Sequence, residues 1–327
     1  MTNIKDIWFA VVNPNAGSGK TMSEWNEAER LLFARGIKYV FATPVSLSDS
    51  YNKILDACAT GYRRFIAVGG DGTVHNLLKA IVNFVENSCA EGGSVRLDDF
   101  TLTVLPIGSG NDWLRSHNIP RDHSRIVELM SEGRFGRQDV VRADILDRNG
   151  NIANTAYMAN IGGYCFDAGV CSQVNFQKSR GVTGKMLYLR AVIYQAYRIK
   201  SSPTKVICDG KEFYDGLVFT MSFGNGKYSG GGLCQTPSAV MDDGLLDVMM
   251  APKFPIYKLF LNINKLLRKD LERVPFIKFT KASDIKIIPT GKRGELVEID
   301  GEVIGRAPLH LSVLPQQINV LHLDERP

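Results

Sequence analysis

The chain has 327 residues and a net charge of +5, with 44% hydrophobic and 22% charged residues. These values exclude a disordered chain and a fibrous repeat, and the length predicts two domains. No uncharged apolar run reaches the roughly 18 residues of a membrane span, and the run at 7–12 is too short for a signal peptide. We therefore expect a cytoplasmic protein that meets any membrane from outside.

The first part of the chain alternates short apolar runs with helical patterns. The predicted buried strands are 6–13, 37–43, 64–70 and 100–107. The predicted helices are 21–35, 48–59 and 73–87. Strands that alternate with helices indicate a parallel sheet covered on both faces, so we predict a doubly wound α/β domain over residues 1–137.

From residue 138 onward, shorter alternating segments are bounded by Gly, Asp or Pro. The predicted strands are 140–146, 153–160, 217–223, 245–250, 285–288, 296–299 and 309–314. Two predicted helices, 185–198 and 256–269, interrupt them. This pattern predicts an antiparallel β-sandwich domain over residues 138–327, and whether its last strand rejoins the first domain stays open.

Three glycine-rich loops follow predicted strands of the first domain and enter predicted helices, where backbone N–H groups favour phosphate. They are NPNAGSGK at 13–20, GGDGT at 69–73 and PIGSGND at 106–112. The first is neither a Walker P-loop, because Pro14 stands where glycine is required, nor a Rossmann fingerprint, because Met22 stands at the third glycine position. Each loop alone could be a plain turn. Three at the carboxyl ends of strands in one sheet indicate a phosphate site.

The second loop carries an acidic side chain, Asp71. A carboxylate among phosphate-binding amides would repel the ligand unless a cation bridged the two. Asp71 therefore indicates either Mg²⁺ or a proton acceptor.

These loops, with SFGNGKYSGGGLCQTPSAVMDDGLLDV at 222–248 and IDGEVI at 299–304, resemble a lipid kinase family. That family contains bacterial diacylglycerol kinases and the sphingosine and ceramide kinases, and it is related to NAD kinases. The resemblance implies a lipid kinase that uses ATP and Mg²⁺, has a nucleotide-binding first domain, and phosphorylates a lipid hydroxyl, most simply that of diacylglycerol. Ceramide or a sphingoid base is the alternative acceptor, and a soluble acceptor such as NAD is the second alternative.

The resemblance also implies which residues contact the nucleotide. They are Asn13, Pro14, Asn15, Ala16, Gly17, Thr43, Gly69, Gly70, Asp71, Gly72, Thr73, Asn76, Gly108, Ser109, Asn111, Asp112 and Glu302. Two of them depart from the family's pattern. Asn76 stands where a glutamate is common, so that residue's role is not carried over. Ser109 replaces the usual threonine but keeps the hydroxyl.

The general base has two candidates. By pattern alone Asp300-Gly301 is a hairpin turn. The resemblance implies that Asp300 is the base, and Asp71 is the alternative.

A separate acidic turn spans 241–247 and offers oxygen ligands for a hard cation. The resemblance implies a structural Mg²⁺ there, bound by Asp243 and by the carbonyl groups of Val240 and Leu245. An ordinary acidic turn is the alternative.

Basic residues concentrate in two segments. No acidic residue lies between Asp167 and Asp209, where seven Lys or Arg stand, and residues 253–281 hold eight against two acidic residues. Such charge indicates an anionic partner, either nucleic acid or a phospholipid surface. With the kinase resemblance we expect a lipid substrate and an anionic membrane surface at its inner face, and no nucleic acid; a homodimer stays open.

Membrane docking is assigned to the predicted helix 256–269. Its apolar stripe is Ile256, Leu259, Phe260, Ile263, Leu266 and Leu267, and its basic flanks are Lys258, Lys265, Arg268 and Lys269. This arrangement is typical of an interfacial helix. A core helix is one alternative, and docking through the acid-free stretch is the other.

Overall fold

A computed structural model describes residues 3–322 apart from 20, 109, 183–185, 199, 256, 259–260, 263–264 and 266–269. The chain divides into two compact units, Met1–Val140 with Pro315–Pro327, and Val141–Leu314. None of the helices within these described residues is both long enough and apolar enough to cross a bilayer.

The helices and strands alternate first and then give way to strands. The α-helices are α1 Thr21–Ala34, α2 Leu47–Thr60, α3 Asp71–Ala90, α4 Asp112–Ser116, α5 His123–Ser131, α6 Phe166–Ser179 and α7 Met186–Arg198. The strands are β1 Trp8–Val12, β2 Tyr39–Ala42, β3 Arg64–Gly69, β4 Thr101–Pro106, β5 Phe135–Gln138, β6 Val141–Leu146, β7 Ile152–Met158, β8 Ile161–Cys165, β9 Ser202–Cys208, β10 Lys211–Gly224, β11 Tyr228–Ser229, β12 Leu233–Cys234, β13 Leu246–Pro252, β14 Lys278–Ala282, β15 Asp284–Pro289, β16 Leu296–Ile299, β17 Glu302–Arg306, β18 Leu309–Val313 and β19 Ile318–Leu321.

The first unit is built on a six-stranded sheet in the order β2-β1-β3-β4-β19-β5. All neighbouring pairs are parallel except β19 with β5. The central strands β3 and β4 are buried along almost their whole length, as expected of a parallel sheet covered on both faces. The predicted α/β fold of the first domain is confirmed.

The strand order places a ligand crevice in this unit. The chain leaves β1 toward β2 on one side and returns to β3 on the other, so β1 and β3 flank the point where the winding direction changes. Open α/β sheets bind ligands at the carboxyl ends of the strands at such a point. The loops that follow β1, β3 and β4 all lie at this edge.

The second unit is an antiparallel sheet of eleven strands, ordered β17-β16-β8-β10-β9-β15-β18-β6-β7, with β13 paired to β10 and β14 paired to β13. The Asn154 amide on β7 donates to the Ile304 carbonyl on β17 at 2.8 Å, so the two ends of this order meet. Buried side chains from most of the strands fill the interior. The predicted antiparallel sandwich is confirmed, in a form close to a closed barrel.

Several elements were not predicted. Strands β8 and β9 and helix α6 lie in stretches to which no element was assigned. Strand β19, whose return to the first domain the sequence left open, pairs with β4 and β5 of the first sheet. The predicted helix 256–269 falls mostly outside the described residues. Those of its residues that are described, 257–258, 261–262 and 265, are helical.

Candidate functional site

The first loop begins at Asn13, directly after β1. The Asn13 carbonyl oxygen of the side chain accepts from the Asn15 N–H at 3.0 Å, and its amide group donates to the Thr73 hydroxyl at 3.3 Å. The first loop is thereby tied to the second. Pro14 and Ala16 complete the turn, and the Thr21 hydroxyl at the start of α1 donates to the Ala16 carbonyl at 2.7 Å.

The second loop, 69–73, packs too closely for larger residues. A Cβ atom at Gly69 would lie 2.3 Å from the Thr73 hydroxyl oxygen, and one at Gly70 would lie 2.8 Å from the Gly110 carbonyl oxygen. Helix α3 begins at Asp71, so the N–H groups of Gly72 and its neighbours belong to its first turn. Glycine is required at position 70 because the second and third loops touch, and at position 69 because the loop packs against its own Thr73.

The Asp71 carboxylate joins these two loops. One oxygen accepts from the Asp112 N–H at 3.0 Å and the other from the Trp113 N–H at 3.1 Å. Both N–H groups open helix α4, whose partial positive charge favours a carboxylate. Asp71 therefore fixes the third loop as well as placing negative charge at the crevice.

The third loop lies against the first. Gly17 has φ +58° and a Cβ atom there would lie 2.5 Å from the Ile107 side chain, while Gly108 has φ +94°. Asn111 and Asp112 are buried, and Asp112 pairs with Arg115. The predicted contact Ser109 lies outside the described residues.

Two predicted nucleotide contacts lie beside the loops. Thr43 is exposed at the carboxyl end of β2, the strand next to β1. Asn76 lies on α3, and its amide donates to the Ser50 hydroxyl of α2 at 3.0 Å. Asn76 therefore links helices α2 and α3. The sequence did not indicate this structural role.

A polar cleft of about 790 Å³ lies beside the first and third loops, lined by residues that include Gly17, Gly108, Arg121 and His123. This volume is within the range of small-molecule sites. Because Arg121 reaches the Gly108 carbonyl oxygen, a cation stands at the cleft wall. Glu24, Glu27 and Asp122 also line the cleft, so its acidic side chains outnumber the arginine and its charge alone does not favour an anionic ligand.

In the second unit, Asp300 and Gly301 form the tight turn between β16 and β17. Both have positive φ, +49° and +87°, as the two central residues of a type I′ hairpin require. The Asp300 carboxylate accepts from the N–H groups of Ala159, Asn160 and Ile161 at 2.7, 2.9 and 3.2 Å. Asp300 is therefore both a residue of the hairpin turn and a carboxylate that three backbone N–H groups hold in place. Both candidate bases, Asp300 here and Asp71 in the first unit, are held by backbone N–H groups.

Helix α6 holds the same turn from the other side. The Asn175 amide and the Cys171 thiol donate to the Gly301 carbonyl oxygen at 2.8 and 3.0 Å. The neighbouring Glu302 is exposed. Sequence analysis did not assign α6, and its role in positioning this turn was missed.

A pair of enclosed carboxyl groups lies behind the turn. Asp167 accepts from the Gln235 amide at 3.0 Å and the Ser222 hydroxyl at 3.2 Å, and desolvation raises the pKa of Asp167 to about 6. Glu298 accepts from the Gly301 N–H at 2.8 Å. Burial, and then the charge of Asp167, raise the pKa of Glu298 well above its ordinary value. The sequence feature that could have marked Asp167 as a candidate is its position as the single acidic residue in the apolar run YCFDAGV at 164–170.

Asp167 also lines an apolar cavity of about 270 Å³. Phe166, Phe219, Phe254 and Phe276 form a continuous aromatic row along it, with successive ring centroids 4.8, 4.8 and 4.9 Å apart. An apolar cavity with a carboxyl group and an amide in its wall suits an acyl chain attached to a polar group.

The predicted metal turn has an internal cation. The Lys281 ammonium lies 3.0 Å from the Asp247 carboxylate and 3.4 Å from that of Asp243, and it donates to the Ser238 carbonyl at 3.0 Å. Partial burial lowers the pKa of Lys281, but the hydrogen bonds and charges of Asp247 and Asp243 outweigh burial and raise it. Asp243 also accepts from the Leu245 N–H at 3.1 Å.

As these side chains are arranged, Lys281 offsets only part of the negative charge of Asp242, Asp243 and Asp247, and it competes with a bound metal for Asp243. Among the described residues, no three or more His, Cys, Asp or Glu side chains are grouped so that they could hold a metal ion. The ligand set Val240, Asp243 and Leu245 stays a prediction, and Lys281 competes with it.

The comparisons with known proteins follow the two units. Residues 8–143 match the family model described as diacylglycerol kinase catalytic domain. Residues 163–322 match the model described as YegS C-terminal NAD kinase beta sandwich-like domain. The chain belongs to the diacylglycerol kinase family of lipid kinases.

Similar proteins agree with this family. A diacylglycerol kinase of Mycobacterium tuberculosis is 27% identical over 95% of this chain and 94% of its own. A protein named "Probable lipid kinase YegS-like" from Xanthomonas euvesicatoria pv. vesicatoria is 27% identical over 75% of this chain and 73% of its own. The crystal structure of a diacylglycerol kinase from Bacillus anthracis covers 99% of this chain and 98% of its own, with 21% identity and a TM-score of 0.69, and shows the same fold.

Proposed function

We propose that this lipid kinase transfers the γ-phosphate of ATP to the hydroxyl group of a membrane lipid, with diacylglycerol as the acceptor. The observation that carries the proposal is the convergence of three glycine loops at one sheet edge, where Asp71 joins the second loop to the third and Asn13 joins the first to the second. This edge offers backbone N–H groups where phosphates bind in α/β folds.

The residues of the first unit would hold the nucleotide. The glycines of the loop segments 13–17, 69–73 and 108–112 would allow the phosphates to approach the backbone closely. Mg²⁺ that accompanies ATP would neutralise phosphate charge during transfer. Asp71 is the carboxylate of these loops that a phosphate-bound cation would meet.

The transfer breaks the bond between the β–γ bridging oxygen and the γ-phosphorus and forms one from that phosphorus to the lipid oxygen. ADP leaves, and the hydroxyl proton passes to a carboxylate. Asp300 and Asp71 stay the two candidates for that acceptor. Asp71 accepts one backbone N–H hydrogen bond on each carboxylate oxygen, and Asp300 accepts two on one oxygen and one on the other, which fixes the orientation of both carboxylates.

The apolar cavity of the second unit supports a lipid acceptor over a soluble one. An acyl chain is apolar along its whole length and would fill a cavity walled by four phenylalanines, whereas the riboses and phosphates of a dinucleotide such as NAD are polar. Ceramide and sphingoid bases have acyl or alkyl chains as well, so they stay the alternative acceptors. The proposal includes a peripheral position at the inner face of the membrane, because the acceptor lies in the bilayer.

The test is transfer of labelled γ-phosphate from ATP, with Mg²⁺, to dispersed diacylglycerol, ceramide, sphingosine and NAD in parallel. We expect label in the phosphorylated product of diacylglycerol. Label in ceramide or sphingosine alone would change the acceptor but keep the lipid kinase. Label in NAD alone, or in none, would overturn the proposal.

A further inference from the structure

Helix α7 carries apolar side chains on two faces. Ala191 and Val192 are buried in the core beneath it, as expected of a packed helix. Leu189, Ile193 and Tyr197 recur every four residues and so share the outer face, where they are 41%, 41% and 77% exposed. A solvated outer face would be polar, so this stripe indicates a second apolar environment.

Basic residues flank the stripe. Arg190 and Arg198 are exposed, and the Arg198 guanidinium lies 5.2 Å from the Tyr194 ring centroid. The whole segment 168–208 contains no acidic residue. Tyrosine and arginine side chains combine an apolar body with a polar end, which suits the depth of lipid headgroups.

We propose that Leu189, Ile193 and Tyr197 with Arg190 and Arg198, here called the α7 face, dock this protein on an anionic membrane. The apolar side chains enter the headgroup boundary and the arginines pair with lipid phosphates. The inference deepens the proposed lipid kinase function and rests on it for the identity of the substrate. It assigns docking to the acid-free stretch, which was the alternative to helix 256–269, and the docking role of that helix stays a prediction.

The same helix lines the apolar cavity. Tyr188, Leu189 and Val192 belong to its wall, and Leu189 is also part of the exposed stripe. The cavity wall therefore reaches the surface at the α7 face. A lipid in a docked membrane would enter beside Leu189 and bring its polar part toward Asp167 and Gln235, without exposing its chain to water.

Charge argues against a second copy of the chain as the occupant. A two-fold interface pairs each surface patch with itself, so the arginines of one protomer would face those of the other. Within the segment 168–208 no acidic residue would compensate the repulsion. An anionic leaflet would accommodate the apolar side chains and would also pair with the arginines.

The test is co-sedimentation of the full chain, without ATP, with vesicles of phosphatidylcholine alone or mixed with phosphatidylglycerol. Two variants are compared. R190E/R198E reverses the charges, and L189S/I193S/Y197S removes the apolar stripe. The matched control is K292E/R293E, which changes net charge equally at an exposed turn of the same unit. All substituted side chains are at least partly exposed, and circular dichroism melting checks that each variant folds.

We expect both α7 variants to bind mixed vesicles at least about tenfold more weakly than the parent, and the control to stay within about twofold. An equal loss of vesicle binding in R190E/R198E and in the control, or no loss in either α7 variant, would contradict docking through the α7 face. Docking through the α7 face would also be contradicted if the parent were a dimer and L189S/I193S/Y197S a monomer that still binds vesicles. Vesicle binding through α7 without phosphate transfer to any lipid would instead overturn the kinase proposal and leave the docking face in place.

Discussion

The Asp71 carboxylate accepts a hydrogen bond from the backbone N–H of Asp112 at 3.0 Å. These residues belong to two different glycine loops, so one side chain both carries the charge of the crevice and sets the spacing of two loops. Removing it should affect chemistry more than stability, because the loops also touch through Gly70 and Gly110.

We expect Asp71→Asn to lower kcat at least about 100-fold, which corresponds to about 3 kcal/mol of transition-state stabilisation. Asparagine keeps one acceptor for the N–H groups but loses the charge. Melting temperature and phosphorylation rate are measured on the same preparation, with Asp147→Asn at an exposed turn as the control. Activity within tenfold of the parent would contradict a role of Asp71 in transfer.

We expect Asp300→Asn to lower both kcat and stability. An asparagine amide would turn an N–H donor toward the N–H groups of Ala159, Asn160 or Ile161, and an unmet buried donor costs about 1–3 kcal/mol. ATP affinity, measured by isothermal titration calorimetry, should change less than about threefold, because the nucleotide loops lie in the other unit.

The comparison variant for Asp300 is Asn175→Ala, which removes a hydrogen bond to Gly301 and leaves the carboxylate. It should lower kcat moderately, by less than about tenfold, if the turn must be positioned. Normal turnover in Asp300→Asn would assign the proton acceptor to Asp71.

We expect the parent to melt at the same temperature with EDTA as with Mg²⁺, because the Lys281 ammonium already pairs with both Asp243 and Asp247. Lys281→Met should lower the melting temperature, since the buried Asp247 loses its partner, at a cost of about 1–3 kcal/mol after allowance for the partial exposure of Lys281. Mg²⁺ should partly restore it. Lys286→Met, an exposed lysine on β15, is the control. A parent that is stabilised by Mg²⁺ in the absence of ATP would support the metal ligands Val240, Asp243 and Leu245 instead.

The raised pKa of Asp167 predicts a pH dependence of stability. Its ordinary value is 3.8 and burial raises it to about 6, so between these values the folded state binds more protons than the unfolded state. Stability is therefore lost as the pH rises through about 6, and Glu298 contributes with the same sign.

The measurement compares the parent with Asp167→Asn in melting curves from pH 4.5 to 7.5. The parent should lose about 1–3 kcal/mol relative to the variant across this range, a shift of several degrees. Asp147→Asn should not change the slope above pH 5, because backbone N–H groups of the Asn151 turn lower the pKa of the exposed Asp147. Parallel pH profiles for the parent and Asp167→Asn would contradict an enclosed, protonatable Asp167.

The local pattern of residues determined much of this protein. Strands such as 64–70 and helices such as 73–87 were predictable, because apolar spacing over one element reports the face that it buries. The three glycine loops were readable for a similar reason, since the chemistry of each lies in five to eight consecutive residues. The type I′ turn at Asp300-Gly301 was also readable from its dipeptide.

The tertiary structure alone decided which distant residues meet. The return of β19 to the first sheet, the N–H groups that hold Asp300, and the pairing of Lys281 with Asp243 and Asp247 join residues tens to hundreds of positions apart. No local propensity encodes such contacts, because they depend on how whole elements pack. The outer face of α7 is another feature that the sequence alone could not predict. Its helical spacing could be read from the sequence, but which apolar residues remain exposed was decided by the core that buries Ala191 and Val192.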